Sequence, residues 1–105
     1  MQQTATNLKA KLFRGLSDPS RLSILEALRT GPTSVSELVV LTGLSQPNVS
    51  NKLCCLKECG LVIGEQRGKF IFYRLNSNKM AALMEATDAL LNELSGGFAE
   101  CQRYE

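Results

Sequence analysis

The sequence predicts one mainly α-helical domain closed by a single β-hairpin. Apolar residues recur at helical spacing from residue 6 to 59 and again from 77 to 94, whereas only residues 61–75 change to a strand-like pattern. Glycine, proline and capping residues stand at each change of pattern. The chain has 105 residues, of which 44% are hydrophobic, so one small core is expected. A chain of this size buries a modest share of its surface and gains from dimerisation.

The elements follow in order. Leu8, Leu12, Phe13 and Leu16 share one face of a first helix over residues 6–16. Asp18 is a good N-cap and Pro19 suits the first helical position, so a second helix carries Leu22, Leu25 and Leu28 to about Arg29, where Gly31-Pro32 ends it. Ser34 and Glu37 have capping-box spacing for a short third helix ending near Leu41. Thr42-Gly43-Leu44 is a tight turn, and Ser45 caps a fourth helix that tolerates Pro47 in its first turn. This helix ends near Cys59, with Gly60 as its left-handed stop.

Leu61-Val62-Ile63 and Phe70-Ile71-Phe72-Tyr73 are β-branched and aromatic runs around Glu65-Gln66-Arg67-Gly68-Lys69, a hairpin with a basic tip. A last helix from about Ser77 to Leu94 carries Met80, Leu83, Met84, Leu90, Leu91 and Leu94, more apolar surface than one narrow stripe, and is expected to pack on a partner subunit. Gly96-Gly97 is expected to break that helix. The expected organisation is therefore residues 1–97 as the folded, dimerising domain and residues 98–105 as a flexible tail carrying Cys101.

A helix, a turn containing glycine, a second helix and a basic hairpin is the order of a winged helix-turn-helix, which is mainly α with a β-hairpin wing (α+β). The groove it serves is roughly 12 Å wide and admits one α-helix. On the fourth helix Val49, Leu53 and Leu56 fall on the inward face, with Pro47, Ser50, Asn51 and Cys54 roughly opposite and Gln46 and Asn48 on the flanks. Asn and Gln can bond adenine edges, and Ser can serve bases or phosphates. The expected double-stranded DNA contacts are Ser45, Gln46, Pro47, Asn48, Ser50, Asn51 and Lys57, with Arg67 and Lys69 of the wing on phosphates or a minor groove. Net charge is only +2, but residues 45–75 hold five basic residues against two acidic ones.

The cysteines are at 54, 55, 59 and 101, and histidine is absent. Cys55 and Cys59 share one helix face with Cβ atoms roughly 5–6 Å apart, so two thiolates there can bind one ion. Cys54 lies about 100° round the helix from Cys55, toward the groove side. Lys52 is nearly on the Cys55 face, where its charge is expected to favour the thiolate. Without histidine, thiolates favour a soft ion.

The segments Asp18-Pro19-Ser20-Arg21-Leu22, Leu44-Ser45-Gln46-Pro47-Asn48-Val49-Ser50-Asn51 and Gly60-Leu61-Val62 together resemble the ArsR/SmtB family of bacterial metal-responsive repressors. The resemblance covers residues 8 to 95. It implies a homodimer joined by the first and last helices, operator binding without effector and release when effector binds. The stretch from Leu53 to Gly60 resembles the recognition-helix cysteine pair of the cadmium/lead-sensing branch. That branch completes its site with a tail cysteine of the other protomer, and Cys101 stands where that ligand is implied. Cd(II) and Pb(II) are then the first candidates, with Hg(II) and As(III) open. The extra Cys54, and Lys52 in place of a histidine usual in the branch, depart from it. The other family sites lack their ligands, because Ser36-Glu37-Leu38-Val39-Val40 has no cysteine and the last helix has no histidine.

An enzyme is disfavoured by the absence of histidine nucleophile pairs, of a carboxylate pair and of a phosphate loop. A thiol redox or persulfide sensor on the same fold is the alternative. A protein-interaction adaptor that has lost DNA binding is a further one. No run of 18 apolar residues and no leader pattern at Met1-Gln2-Gln3-Thr4 point to a cytoplasmic protein with no membrane partner.

Overall fold

A computed structural model describes residues 4–104, Ser95 by its backbone alone. Met1–Gln3, part of the stretch expected to carry no leader pattern, and Glu105 of the expected tail lie outside the described residues. The order is α1 (Ala5–Leu16), α2 (Pro19–Ala27), a 3₁₀ turn (Leu28–Thr30), β1 (Thr33–Ser34), α3 (Val35–Thr42), α4 (Gln46–Glu58), β2 (Val62–Arg67), β3 (Phe70–Leu75) and α5 (Asn78–Ala99). This is the expected winged helix-turn-helix. Among the described residues no helix is long and apolar enough to cross a membrane.

Each helix start is fixed by a side chain that satisfies an orphan N–H. The Asp18 carboxylate accepts from Arg21 N at 2.9 Å, with Pro19 in the first turn of α2. Ser34 and Glu37 form the full capping box of α3. Ser45 Oγ accepts from Asn48 N at 3.2 Å at the start of α4. Glycines in the left-handed region follow α3 and α4, Gly43 at φ 73° and Gly60 at φ 80°, where a Cβ would be strained.

The core is formed where α2, α3 and α4 converge, around Ile24, Leu25, Leu28, Leu38, Val49 and Leu53. Met80 and Met84 fasten α5 to it. Arg29 reinforces that seat, with Nη1 2.9 Å from both Glu26 and Asp88 of α5. Strands β2 and β3 pair antiparallel from Val62↔Leu75 to Arg67↔Phe70.

Three boundaries differ from expectation. The last turn of α2 tightens to 3₁₀ from Leu28. A two-residue strand, β1, adds to the outer edge of β3 through Thr33↔Tyr73 and Ser34↔Phe72. The third concerns α5, which does not break at Gly96-Gly97 but runs to Ala99, so the boundary drawn at 97/98 falls inside a helix. Neither glycine takes a positive φ. Each costs helix stability by about 1 kcal/mol against alanine, which weakens a helix without ending it. Phe98 helps offset that cost. It lines an apolar groove with Phe13, Leu16 and Leu91, and its ring stacks on Tyr104 at 6.0 Å.

The α1 face reads as expected but is uncovered in the single chain: Leu8, Leu12 and Phe13 are exposed, as are Leu90, Leu91 and Leu94 of α5.

Candidate nucleic-acid interface and thiol face

Helix α4 is anchored by its apolar stripe, since Val49, Leu53 and Leu56 are at most 2% exposed. That burial fixes its rotation and therefore what it displays. Ser45, Gln46, Pro47, Ser50, Asn51 and Lys57 are exposed, and Asn48 is half-buried. The flanking positions diverge. Gln46 lines a groove of ≈ 430 Å³ with Lys69 and Ile71 of the wing. Asn48 lies on the opposite flank, the one that carries Lys52, Cys55 and Cys59. Ser45 Oγ accepts from the Asn48 amide, which leaves its O–H available to donate.

The wing differs from its expected chemistry at one residue. Arg67 Nη2 is 3.1 Å from Glu65 Oε2, and its guanidinium lies 5.3 Å over the Phe72 ring. Glu65, Arg67 and Phe72 share one face of the hairpin, so the guanidinium is held against its own sheet. Lys69 makes no ion pair among the described residues, which leaves it the freer cation of the tip.

All four cysteines are free thiols. Cys55 is half-buried and Cys59 exposed, one turn apart. Cys59 opens into a cleft of ≈ 280 Å³ against α1, beside Leu8, Leu12 and Gly15. Cys54 points away, with Sγ 3.7 Å from Glu58 Oε1. Among the described residues no three metal-ligating side chains come together, so Cys101 does not complete the Cys55–Cys59 pair within this chain. The donor set on α4 fits a soft ion in kind but is short by one ligand.

Lys52 has a carboxylate partner across the fold. Its Nζ is 3.7 Å from Asp18 Oδ2 at the start of α2. Asp18 thus has a second use beyond the helix cap that its sequence position predicts. The helical angle of Lys52 gave its flank, but its partner lies across the fold.

A model of the arsR family of bacterial regulatory proteins matches residues 18–63. The chain is 33% identical over 100 residues to the probable mercury resistance operon repressor of Streptomyces lividans, covering 95% of this chain and 80% of that protein. It is 41% identical over 83 residues to the HTH-type transcriptional regulator CmtR of Mycobacterium tuberculosis, covering 78% of this chain and 70% of that protein. The NMR structure of the cadmium metal-sensor CMTR from M. tuberculosis superposes with a TM-score of 0.65 at 39% identity, over 73% of this chain and 80% of that one. The homodimeric winged helix-turn-helix DNA-binding domain of a possible ArsR-family regulator from Mycobacterium bovis superposes with a TM-score of 0.75 at 25% identity, over 90% of this chain and 93% of that one.

Proposed function

Since the chain belongs to the ArsR family of bacterial regulatory proteins, we propose that it is a homodimeric repressor that holds operator DNA when metal-free and lets go when its cysteines capture a soft ion. Its relatives are transcriptional regulators rather than enzymes, and the fold is theirs. Cd(II) and Pb(II) are the first candidates, and Hg(II) and As(III) follow. The work is cytoplasmic, where thiols stay reduced.

The observation that carries this reading is the placement of Cys55 and Cys59. Two accessible free thiols stand one turn apart on the helix that presents Asn48, Ser50 and Asn51. Thiolates without imidazole select soft ions. Relatives described as a cadmium sensor and a mercury operon repressor support the same class of effector. The missing third ligand supports a site shared between subunits, with Cys101 of one chain reaching the pair of the other. The uncovered leucines of α1 and α5 supply an apolar surface for that pairing.

The coupling to DNA is geometric. Two reading helices must enter successive major grooves about 34 Å apart. Ligation that ties α4 to the end of the partner's α5 resists that spacing. An allosteric coupling of about 1–3 kcal/mol corresponds to roughly 5–150-fold weaker operator binding.

The test is titration of the fully reduced dimer with Cd(II) or Pb(II), with and without operator duplex. The proposal expects thiolate-to-metal charge-transfer absorption, loss of operator affinity and full reversal by chelator. Release by oxidant or persulfide alone, with no response to metal, would establish the thiol-redox alternative instead.

A further inference from the structure

Four polar groups form a continuous path from α1 to the reading helix. Arg21 Nε donates to Gly15 O in α1 at 2.8 Å. The backbone N–H of the same arginine donates to Asp18 Oδ2 at 2.9 Å. That carboxylate oxygen also faces Lys52 Nζ of α4 at 3.7 Å. Asp18 and Lys52 are about 30% exposed, so the pair is sheltered on one side and open on the other. Lys52 lies one helical turn beyond Asn48 on the same flank of α4.

We propose that Lys52 and Asp18 are positioning residues for DNA reading: the ion pair adds a second, peripheral restraint on α4 at the α1–α2 corner and so refines the aim of Asn48 and Asn51. The inference rests on α4 being the helix that reads DNA. The buried stripe of α4 sets its rotation against the core, and the ion pair acts on the outer edge of the helix, where that stripe does not reach. The two α2–α4 contacts act at different places. Val49 and Leu53 press on the core, and Lys52 reaches out to the start of α2 at the edge. Because Arg21 ties the same corner to α1, the setting of α4 is referred to the helix whose leucines are uncovered for a partner.

A simpler role for Lys52 is a direct phosphate contact, with Asp18 merely its resting partner. The two roles predict opposite signs for one substitution. Asp18→Asn keeps the helix cap, since Asn caps as well as Asp, and removes only the charge. If Lys52 touches phosphate, loss of a competing carboxylate strengthens DNA binding. If the pair positions α4, loss of the carboxylate weakens it, although the protein has become more positive.

The experiment measures the affinity of the full-length dimer for a duplex selected by the wild-type protein from a randomised pool, at one fixed salt concentration. Asp18→Asn and Lys52→Gln should each weaken binding by about 2- to 5-fold for each reading helix, the range of a partly exposed ion pair. The double variant should be no weaker than either single one, and Lys52→Arg should retain affinity. Far-UV circular dichroism checks that each variant is folded. Unchanged or tighter binding by Asp18→Asn overturns the proposal, as do losses that add in the double variant. A wild-type protein that selects no duplex overturns the DNA reading itself, and this link with it.

Discussion

Arg67 and Glu65 pair across 3.1 Å on the same face of the wing, so the arginine expected to meet DNA is held by a carboxylate of its own strand. The hairpin tip therefore presents one neutralised cation and one free one. Phosphate contact by Arg67 requires it to leave Glu65 and the Phe72 ring, at a cost that is small for an exposed pair. Glu65→Gln should strengthen DNA binding for all sequences alike, and Arg67→Ala should weaken it alike. Lys69→Ala should cost more than Arg67→Ala. Titrations over a range of salt check this, because loss of one phosphate contact lowers the salt slope by about one. A change in base preference on Arg67→Ala would contradict the division between wing and helix.

Base preference should instead follow α4. Asn48→Ala and Ser50→Ala should alter which sequences are selected, with losses of about 1–3 kcal/mol at the bases they contact. Selection from a randomised pool by each variant reads this directly.

The thiols divide by helical angle, since their chemistry is the same. Cys54 lies toward Glu58, whereas Cys55 and Cys59 share another flank, on which Cys59 faces α1. Cys54→Ser should keep the metal response, and Cys55→Ser and Cys59→Ser should each lose it. Charge-transfer absorption on metal addition distinguishes them, and equal loss in all three would mean that the faces of α4 are misassigned.

Asp18 gives an acid signature. The Arg21 backbone N–H, and then the charge of Lys52, hold its carboxyl below the ordinary 3.8. Its folded-state pKa is depressed, so its contribution to stability is present above the ordinary 3.8 and is lost as pH falls toward the folded value. Stability from this group is therefore flat across neutral pH. Asp18→Asn should remove part of the acid loss below about pH 4 while leaving the neutral-pH dependence unchanged, as read by thermal unfolding at a series of pH values.

Much of this architecture was legible in local chemistry. The stripe of Val49, Leu53 and Leu56, the Ser45 cap and the two stopping glycines place α4 and its faces from local sequence alone. Strand β1 was not legible, because two residues carry no period and its partners, Phe72 and Tyr73, are distant in sequence. The persistence of α5 through Gly96-Gly97 depends on packing of Phe98 beside Phe13, which propensity alone does not contain. The Glu65–Arg67 pair was available in principle, since alternate residues of a strand share a face. The Asp18–Lys52 pair was not, because helical angle tells which way a lysine leaves its helix and not what it meets.

In the proposed repressor a soft ion is held by Cys55 and Cys59 of one subunit and Cys101 of the other. The decisive experiment for this shared site uses a mixed dimer of one Cys101→Ser subunit and one Cys55→Ser/Cys59→Ser subunit. The first subunit keeps an intact pair, and the second keeps the only Cys101 able to reach it. Titration of this dimer with Cd(II), followed by charge-transfer absorption, should show one tightly bound ion per dimer. Absence of any tight site, with two present in the wild-type dimer, would place all three ligands within one subunit and contradict the account.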